Sequence, residues 1–384
     1  MRSAHSLTAA ALVVAMAFNS AIACPFCPIA DATFNEQLNQ AEVALVVQWV
    51  SSRQADKKGD PGETTYRVVK VLKQPSTEFA GDSLVTLATA RTAQPDALFL
   101  VMGVYDPGVQ WKNPIAVTET SVKYILESPG RDAPAAQRLP YFLNHLDHPD
   151  LVISNDAFSE FAGAPYQDIA PLADRFSPAL LKKWIADPAT SQTRIGFYGM
   201  MLGLSGTKAD APFLKSHIEQ PTETFRLGLD GMLGGYVLLL REEGLPLLEA
   251  RLNPAANITE SYAAMQALRF LWEYAPECVG KDRLRQSMRK ALDRPELAEL
   301  AVSDLTRWED WESMSRLVKM FDSPTYREKN TRRAVARYLI TLSSKKVAAG
   351  DELTARRVSA AKAELMALRE RDAVTVKDAE RFRL

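Results

Sequence analysis

Between residues 43 and 120 the chain alternates apolar and polar positions with the period of a β-strand. A short helix is predicted before this region, over residues 31–41, and sequences containing Gly and Pro separate most of the β-type segments. The segments lie at residues 43–52, 64–73, 83–88, 97–105 and 115–120. Five short strands in succession predict a small barrel or sandwich, of which we adopt the five-stranded barrel, and we assign this β-rich domain to residues 24–127.

From residue 134 onward the apolar positions follow the spacing of amphipathic helices. Pro, Gly and Asp residues end the successive stretches of helix length, and no alternating run interrupts them. The pattern predicts an all-α region over 134–324 and a helical C-terminal cap over 325–384. The expected fold class is therefore α+β with two domains.

The helical region contains short sequences that recur. Two segments have aligned copies further along the chain, and the pairs are 194–201 with 226–233 and 211–218 with 245–252. A degenerate third copy has Ala264 and Ala267 where the second has Gly228 and Gly231. Paired helices at this spacing resemble HEAT-type α-solenoid repeats, a resemblance that implies stacked helix pairs with an extended concave surface.

Each of the first two copies has three glycines on one face of its predicted helix. They are Gly196, Gly199, Gly203, Gly228, Gly231 and Gly235. Each interior glycine costs about 0.5–1 kcal/mol relative to Ala, so we expect close approach of neighbouring helices to offset that cost. A phosphate-binding glycine loop would need a preceding strand and the order G-x-G-x-x-G, and the sequence has neither.

An apolar leader precedes the first cysteine. Arg2 is followed by an uncharged run over residues 7–18 and by Ala21-Ile22-Ala23, which has the form of a cleavage site. This order predicts a secretory signal peptide over residues 1–23. A membrane span needs about 20 apolar residues, and no later segment qualifies. We therefore expect a periplasmic or extracellular protein without a transmembrane span.

The chain has three cysteines, and two of them lie close together after the leader. Cys24 and Cys27 are compatible with a disulfide, since an exported compartment is oxidising. Ala21-Ile22-Ala23-Cys24 also resembles a lipobox with Ala in place of the usual Leu, so lipidation of Cys24 is an alternative, and redox or metal use of the pair is a third. Cys278 is expected to be a free thiol at a helix end.

The cysteine pair followed by AEVALVVQWVSS and TTYRVVKVLK is similar to the opening of the netrin and tissue-inhibitor-of-metalloproteinase type of OB-fold. The resemblance covers residues 24–127 and implies N-terminal cysteines that fix the chain to a five-stranded barrel. It also implies protease inhibition through the free amino group of Cys24. The sequence departs from that family by having two residues between the cysteines and by lacking the further cysteines that pair with them.

Charge changes this picture only at the C-terminal end. With 46 Lys and Arg against 47 Asp and Glu the formal net charge is −1, which argues against nucleic acid as a partner. Residues 325–384, however, carry fifteen Lys and Arg against eight Asp and Glu. An amphipathic helix predicted over 330–342 directs Arg332, Arg333 and Arg337 outward, where they either cap the helical stack or bind an acidic partner.

Two further clusters are candidates for chemistry or binding. His145 and His148 are spaced as a weak metal-site candidate, although Pro149 favours a surface loop. Trp308 and Trp311 favour packing between repeats, with partner binding as the alternative. No catalytic constellation is recognisable in the sequence, and no cofactor is expected.

These observations predict an exported, non-enzymatic scaffold or binding protein that engages a protein or a cell-envelope component through its helical repeats. The first alternative is an enzyme with a site in the groove between the β-rich domain and the helices. The second is a thiol or metal protein that uses Cys24 and Cys27. A Cys-Pro-Phe-Cys start followed by helical repeats is also similar to exported bacterial proteins of unassigned role.

Overall fold

The computed structural model describes residues 24–220 and 226–381, so the predicted signal peptide over 1–23 lies outside the described residues. The strands form one antiparallel sheet in the N-terminal part of the chain. They are β1 (Val43–Arg53), β2 (Glu63–Lys73), β3 (Leu84–Leu87), β4 (Leu98–Tyr105), β5 (Val109–Trp111) and β6 (Ile115–Val117).

One helix precedes the sheet and the others follow it, so the fold class is α+β, as predicted. The helices are α1 (Phe34–Gln40), α2 (Glu119–Glu127), α3 (Ala135–Leu143), α4 (Leu151–Ala162), α5 (Tyr166–Ile169), α6 (Pro178–Ala186), α7 (Gln192–Ser205), α8 (Ala211–Ile218), α9 (Leu229–Leu240), α10 (Leu245–Ala250), α11 (Ile258–Tyr274), α12 (Lys281–Lys290), α13 (Ala298–Arg307), α14 (Met314–Asp322), α15 (Lys329–Ser343), α16 (Glu352–Arg371) and α17 (Ala373–Arg381). Within the described ranges, none of them combines the length and apolarity that a bilayer crossing requires.

The sheet is open, and the prediction of a closed five-stranded barrel is wrong. Its strand order is β3-β2-β1-β4-β5, and β6 pairs with β4 beside β5. Closure would require the strands at the two edges to pair with each other. The edges consist of β3 with 4 residues and of β5 and β6 with 3 residues each. Such short strands leave the two ends of the sheet apart.

The predicted fifth strand was too long, and β5 was missed. β6 stops at Val117 because Thr118 is the N-cap residue of α2. The Thr118 hydroxyl accepts a hydrogen bond from the Ser121 backbone N–H at 3.0 Å, and the Ser121 hydroxyl accepts one from the Thr118 N–H at 3.0 Å. This reciprocal cap converts the end of the β-type run into the start of a helix.

The two faces of the sheet belong to two different apolar cores. Leu45, Val47 and Phe99 face a core that the sheet and its connecting loops form by themselves. Ala44 and Leu100, at alternate positions on β1 and β4, join the core of the helical region. This alternation follows from the two-residue period of a strand, and it attaches the sheet directly to the helices.

Neighbouring helices in the C-terminal part pack in sequence order. α7 packs on α9, α9 packs on α11, and α13 packs on α15, while α6 and α8 lie against α7 and α9. This succession is loosely consistent with a helical repeat region. α16 and α17 both pack on α15, so α15 is an internal helix and not the terminal one.

The contact between α7 and α9 brings backbone against backbone. A Cβ atom placed on Gly199 would lie 2.8 Å from the Met232 Cα, and one placed on Gly196 would lie 3.2 Å from the Gly228 Cα. Gly228 also has φ +81°, a left-handed conformation that favours glycine. All six glycines singled out from the sequence lie at this contact, which we call the glycine seam.

The helices from α10 to α13 and the turn that follows α13 are joined by ion pairs. Asp304 and Asp310 are each 1% exposed. Asp304 pairs with Arg269 at 2.8 Å, and Asp310 accepts a hydrogen bond from the Arg289 Nε at 2.8 Å. Arg283 pairs with Glu249 at 2.5 Å. We call these contacts the arginine seam, with members Glu249, Arg269, Arg283, Arg289, Asp304 and Asp310.

Candidate binding surface

A cavity of about 270 Å³ lies between the turn that follows α3 and the start of α6. Its floor is apolar and aromatic, and its rim is polar. The floor consists of Leu143, Phe176, Leu180, Leu181 and Trp184, and the rim consists of Asn144, Asp147, Arg175 and Ser177. An apolar pocket with a few polar groups at its edge is the usual form of a binding site.

The local sequence holds this cavity in shape. Ser177 begins α6, and its hydroxyl accepts a hydrogen bond from the Leu180 N–H at 3.4 Å, while Pro178 occupies the first turn. Trp184 packs on the ring of Tyr198 in α7, with 5.0 Å between ring centroids. The floor is therefore supported by a neighbouring helix, whereas Asp147 and Arg175 are exposed.

The turn beside this cavity contains the two histidines considered as metal ligands. The His145 Nδ1 lies 2.8 Å from the Tyr141 carbonyl oxygen, and the His148 Nδ1 accepts a hydrogen bond from the Asp150 N–H at 3.0 Å. The two rings are 6.0 Å apart between centroids. Among the described residues, no group of three or more His, Cys, Asp and Glu side chains is arranged to hold a metal ion. The hydrogen bonds of both histidines are local to this turn.

The N-terminal cysteines form a loop that lies on the helices. Cys24 and Cys27 are joined by a disulfide, and Cys278 is free and half-buried. Burial raises the pKa of the Cys278 thiol. Phe26, between the bonded cysteines, is 5% exposed, and its ring centroid lies 4.7 Å from that of Phe270 in α11.

The position of Cys24 bears on two expectations drawn from the sequence. Its sulfur is bonded to Cys27, so the disulfide and a thioether-linked lipid on Cys24 exclude one another. Its backbone N–H donates to the Ala162 carbonyl oxygen at 3.2 Å, and the residue is 5% exposed. Protease inhibition of the kind implied by the netrin resemblance would need this amino group to be presented at the surface.

The two C-terminal tryptophans are buried. Trp308 stacks on Trp272 with 4.4 Å between centroids and 6° between planes. Trp311 meets the ring of Tyr338 edge-on at 5.3 Å. At 5% and 7% exposure, Trp308 and Trp311 contribute to packing between helices and offer little surface to a partner.

The three arginines of α15 are half-buried, so the expectation that they point outward is wrong. The Arg332 guanidinium lies 4.2 Å from the centre of the Phe321 ring and 3.2 Å from the Asp372 carboxylate. Arg333 donates to the Asn330 side chain at 2.5 Å. α16 and α17 cover α15, and a sequence window that treats α15 as the last helix cannot register that cover.

A cavity of about 40 Å³ lies between α1 and the helices α3 and α4, beside the buried ion pair of Arg138 and Glu160. Small-molecule pockets measure about 300–1,000 Å³, so this cavity has no room for an organic substrate. Next to it, Asp156 accepts hydrogen bonds from the Phe34 N–H at 2.6 Å and the Tyr124 hydroxyl at 2.7 Å. Burial raises the pKa of Asp156 to about 6. Its contacts tie α1 to α2 and α4.

Sequence reasoning missed the residues that line the cavity beside α6. It also missed the contact between Phe26 and Gly234. A Cβ atom placed on Gly234 would lie 3.0 Å from the Phe26 ring. Gly234 aligns with Leu202 in the preceding repeat copy, so a search for repeated glycines passes over it. The sequence did contain one signal for this contact. Gly234 is a glycine where the preceding copy has a leucine, and such a difference marks a contact that only one of the two copies makes.

No protein-family model matches this chain, and no curated protein matches it either.

Proposed function

We propose that the protein is an exported, non-enzymatic binding protein whose helical repeats engage a protein of the cell envelope. The observation that carries the proposal is the cavity over α6, with its aromatic floor and its exposed rim of Asn144, Asp147 and Arg175. Anchoring residues in protein interfaces typically enter well-packed pockets that polar groups surround.

The size of the cavity supports a protein partner over a metabolite. At about 270 Å³ it lies just below the range of about 300–1,000 Å³ of small-molecule pockets, so it suits one bulky side chain of a partner. Asp147 and Arg175 carry opposite charges on the rim, and they can orient a neighbouring polar segment of that partner.

The repeat character of the helical region supports the same proposal. The aligned copies in the sequence and the succession of packed helices α7, α9 and α11 are what a HEAT-like solenoid would show. Solenoids present extended surfaces, and the cavity lies at the N-terminal end of such an array. The signal-peptide pattern in residues 1–23 and the disulfide support export, since disulfides persist in oxidising compartments.

Site-specific photo-crosslinking tests this function. A photoreactive residue at Asn144 should capture a defined partner from the native envelope fraction, and mass spectrometry should identify it. The rim reversals Asp147→Lys and Arg175→Glu should abolish the capture because they invert the charges that would orient the partner. Both side chains are exposed, so we expect the variants to fold. Lys215→Glu, on α8 and exposed, is the matched control and should leave capture unchanged.

Two outcomes would contradict the proposal. Capture that persists in both rim variants would place the partner elsewhere. A low-mass compound that copurifies with the protein and is converted on incubation would support the alternative of an enzyme.

A further inference from the structure

The loop closed by the disulfide turns an aromatic side chain into the helical region. Cys24 and Phe26 are each 5% exposed, Cys27 is half-buried, and Ile29, three residues after Phe26, is fully exposed. The Cys27 N–H donates to the Cys24 carbonyl oxygen at 3.3 Å, which closes a tight turn. Phe26 is therefore the side chain by which this short loop is held.

The groove that receives Phe26 exists because two helices lack side chains at the contact. A Cβ atom on Gly234 in α9 would lie 3.0 Å from the Phe26 ring, and one on Gly196 in α7 would lie 2.9 Å from the Phe26 carbonyl oxygen. Phe270 forms the far wall, and the ring of Tyr166 lies behind it at 5.4 Å. The loop thus fills a glycine-walled groove at one end of the glycine seam.

The disulfide keeps the loop in the shape that fits this groove. Beyond the packing of Phe26, the backbone of Cys24 is tied to the helices by the hydrogen bond to the Ala162 carbonyl oxygen. A chain segment without the covalent closure would lose conformational freedom on docking that the closed ring has already lost. Opening the disulfide therefore weakens the hold on Phe26.

We propose that this loop is a site of reversible thiol–disulfide exchange with a dithiol, and that its reduction releases Phe26 from the groove. A thiolate of the dithiol attacks the half-buried Cys27 sulfur, the disulfide bond breaks, and the Cys24 sulfur leaves with the electron pair and takes up a proton. The second thiol of the reductant then displaces Cys27. The reductant is left as a disulfide, and the protein gains two thiols.

Release exposes a patch that the oxidised protein conceals. The groove would then present Phe270 and the bare backbone of Gly196 and Gly234, which admits another aromatic side chain as it admits Phe26. The proposal is independent of the partner surface over α6, because it rests on different residues.

The rate of disulfide reduction in the native protein tests the proposal. In a Cys278→Ser background, alkylation and mass spectrometry after timed exposure to dithiothreitol would count the opened disulfides. Phe26→Ala should speed reduction by about tenfold or more, a factor that corresponds to about 1.4 kcal/mol. Gly234→Ala should act in the same direction, because its methyl group displaces the Phe26 ring. Ile29→Ala, at an exposed position of the same segment, is the matched control and should stay within about twofold, since it removes no packing.

Hydrogen exchange of the reduced protein provides the second readout. Reduction should raise exchange in α7 and α9 and leave α15, which is remote in sequence, unchanged. The proposal is overturned if Phe26→Ala and Gly234→Ala are both reduced at the wild-type rate, or if the reduced protein keeps the protection of α7 and α9 seen in the oxidised form.

Discussion

The glycine seam and the arginine seam join helices of the same region by opposite means. Between α7 and α9 the side chains are absent, and backbone atoms meet directly. From α10 to the turn after α13, long charged side chains bridge the helices. The buried carboxylates of Asp304 and Asp310 pair there with arginine side chains that are 27% and 26% exposed. The first contact depends on shape and the second on paired charge.

The difference shows how the type of contact between helices can change from one copy of a repeated sequence to the next. Where the second copy has Gly228 and Gly231, the third has Ala264 and Ala267, both fully buried. A methyl group at each position prevents the backbone approach that glycine allows. The next interfaces are therefore free to contain longer side chains, and a buried charge among them must be paired because an unpaired one is costly.

Removing a buried carboxylate from the arginine seam should have the largest effect. Asp310→Ala leaves Arg289 without its buried partner and removes the acceptor of the Ser313 hydroxyl. We expect a loss of about 3 kcal/mol in the free energy of unfolding, measured by chemical denaturation, because charge-assisted hydrogen bonds are lost and the buried Ser313 hydroxyl is left without its acceptor. Glu312→Ala is the control, because Glu312 pairs with the same arginine but its side chain is 64% exposed. It should cost no more than about 1 kcal/mol, and equal losses would show that the burial of Asp310 is not what matters.

A side chain in the glycine seam should come next. Gly199→Leu places atoms where the Met232 backbone lies 2.8 Å from a Cβ, and backbone cannot rotate away as a side chain can. Overpacking of this kind costs about 1–3 kcal/mol, again measured by denaturation. Gly130→Leu serves as the control since a Cβ there meets nothing within 4 Å. If both variants unfold alike, α7 and α9 do not make the close contact described.

Acid should weaken the arginine seam selectively, with the smallest effect. Burial alone would raise the pKa of Glu249, but hydrogen bonds from Arg283, Ser287 and Lys290 outweigh it and hold the pKa below its usual range. A carboxylate with a lowered pKa stabilises the fold above its unfolded pKa, and that contribution disappears as the pH falls through the folded value.

Hydrogen exchange should be followed from pH 7 to about pH 3, a range that spans the usual Glu pKa of about 4.3. We expect α10 and α12 to lose protection at a higher pH than α7 and α9. Glu249→Gln should flatten that pH dependence. Glu243→Gln, at an exposed position, should leave it unchanged. A simultaneous loss in both seams would mean that titration of Glu249 does not set the order.

Local patterns predicted the elements well where alternation or amphipathicity is strong. β1 and β2 begin and end within one residue of the predicted segments, and the predicted helix over 330–342 matches α15. The edge strand β5 was missed because 3 residues are too few to show a period. The exposure of Arg332 was misjudged because its partners Phe321 and Asp372 come from other helices, and a single amphipathic window contains neither.

The sequence predicted that a binding surface exists, but it did not predict which residues form it. Helical repeats indicate a binding surface, yet the cavity over α6 is formed by the turn after α3, by the approach to α6 and by α6 itself. Nothing in the local sequence of Asp147 indicates that Arg175 and Trp184 line the same cavity. The docking of Phe26 was missed for the same reason, because its groove belongs to helices far along the chain.

The apolar core shared by the sheet and the helices limits how this chain can be divided. One cluster of buried residues extends from Cys24 through Leu100 to Ala379, across the predicted domain boundary between residues 127 and 134. A fragment that ends there would expose one whole face of its sheet, and the helical fragment would lose Phe26 and the cover that the sheet provides. We expect neither fragment to fold into a soluble, stable protein by itself. Truncated variants and fusion proteins should therefore keep the chain from Cys24 onward intact.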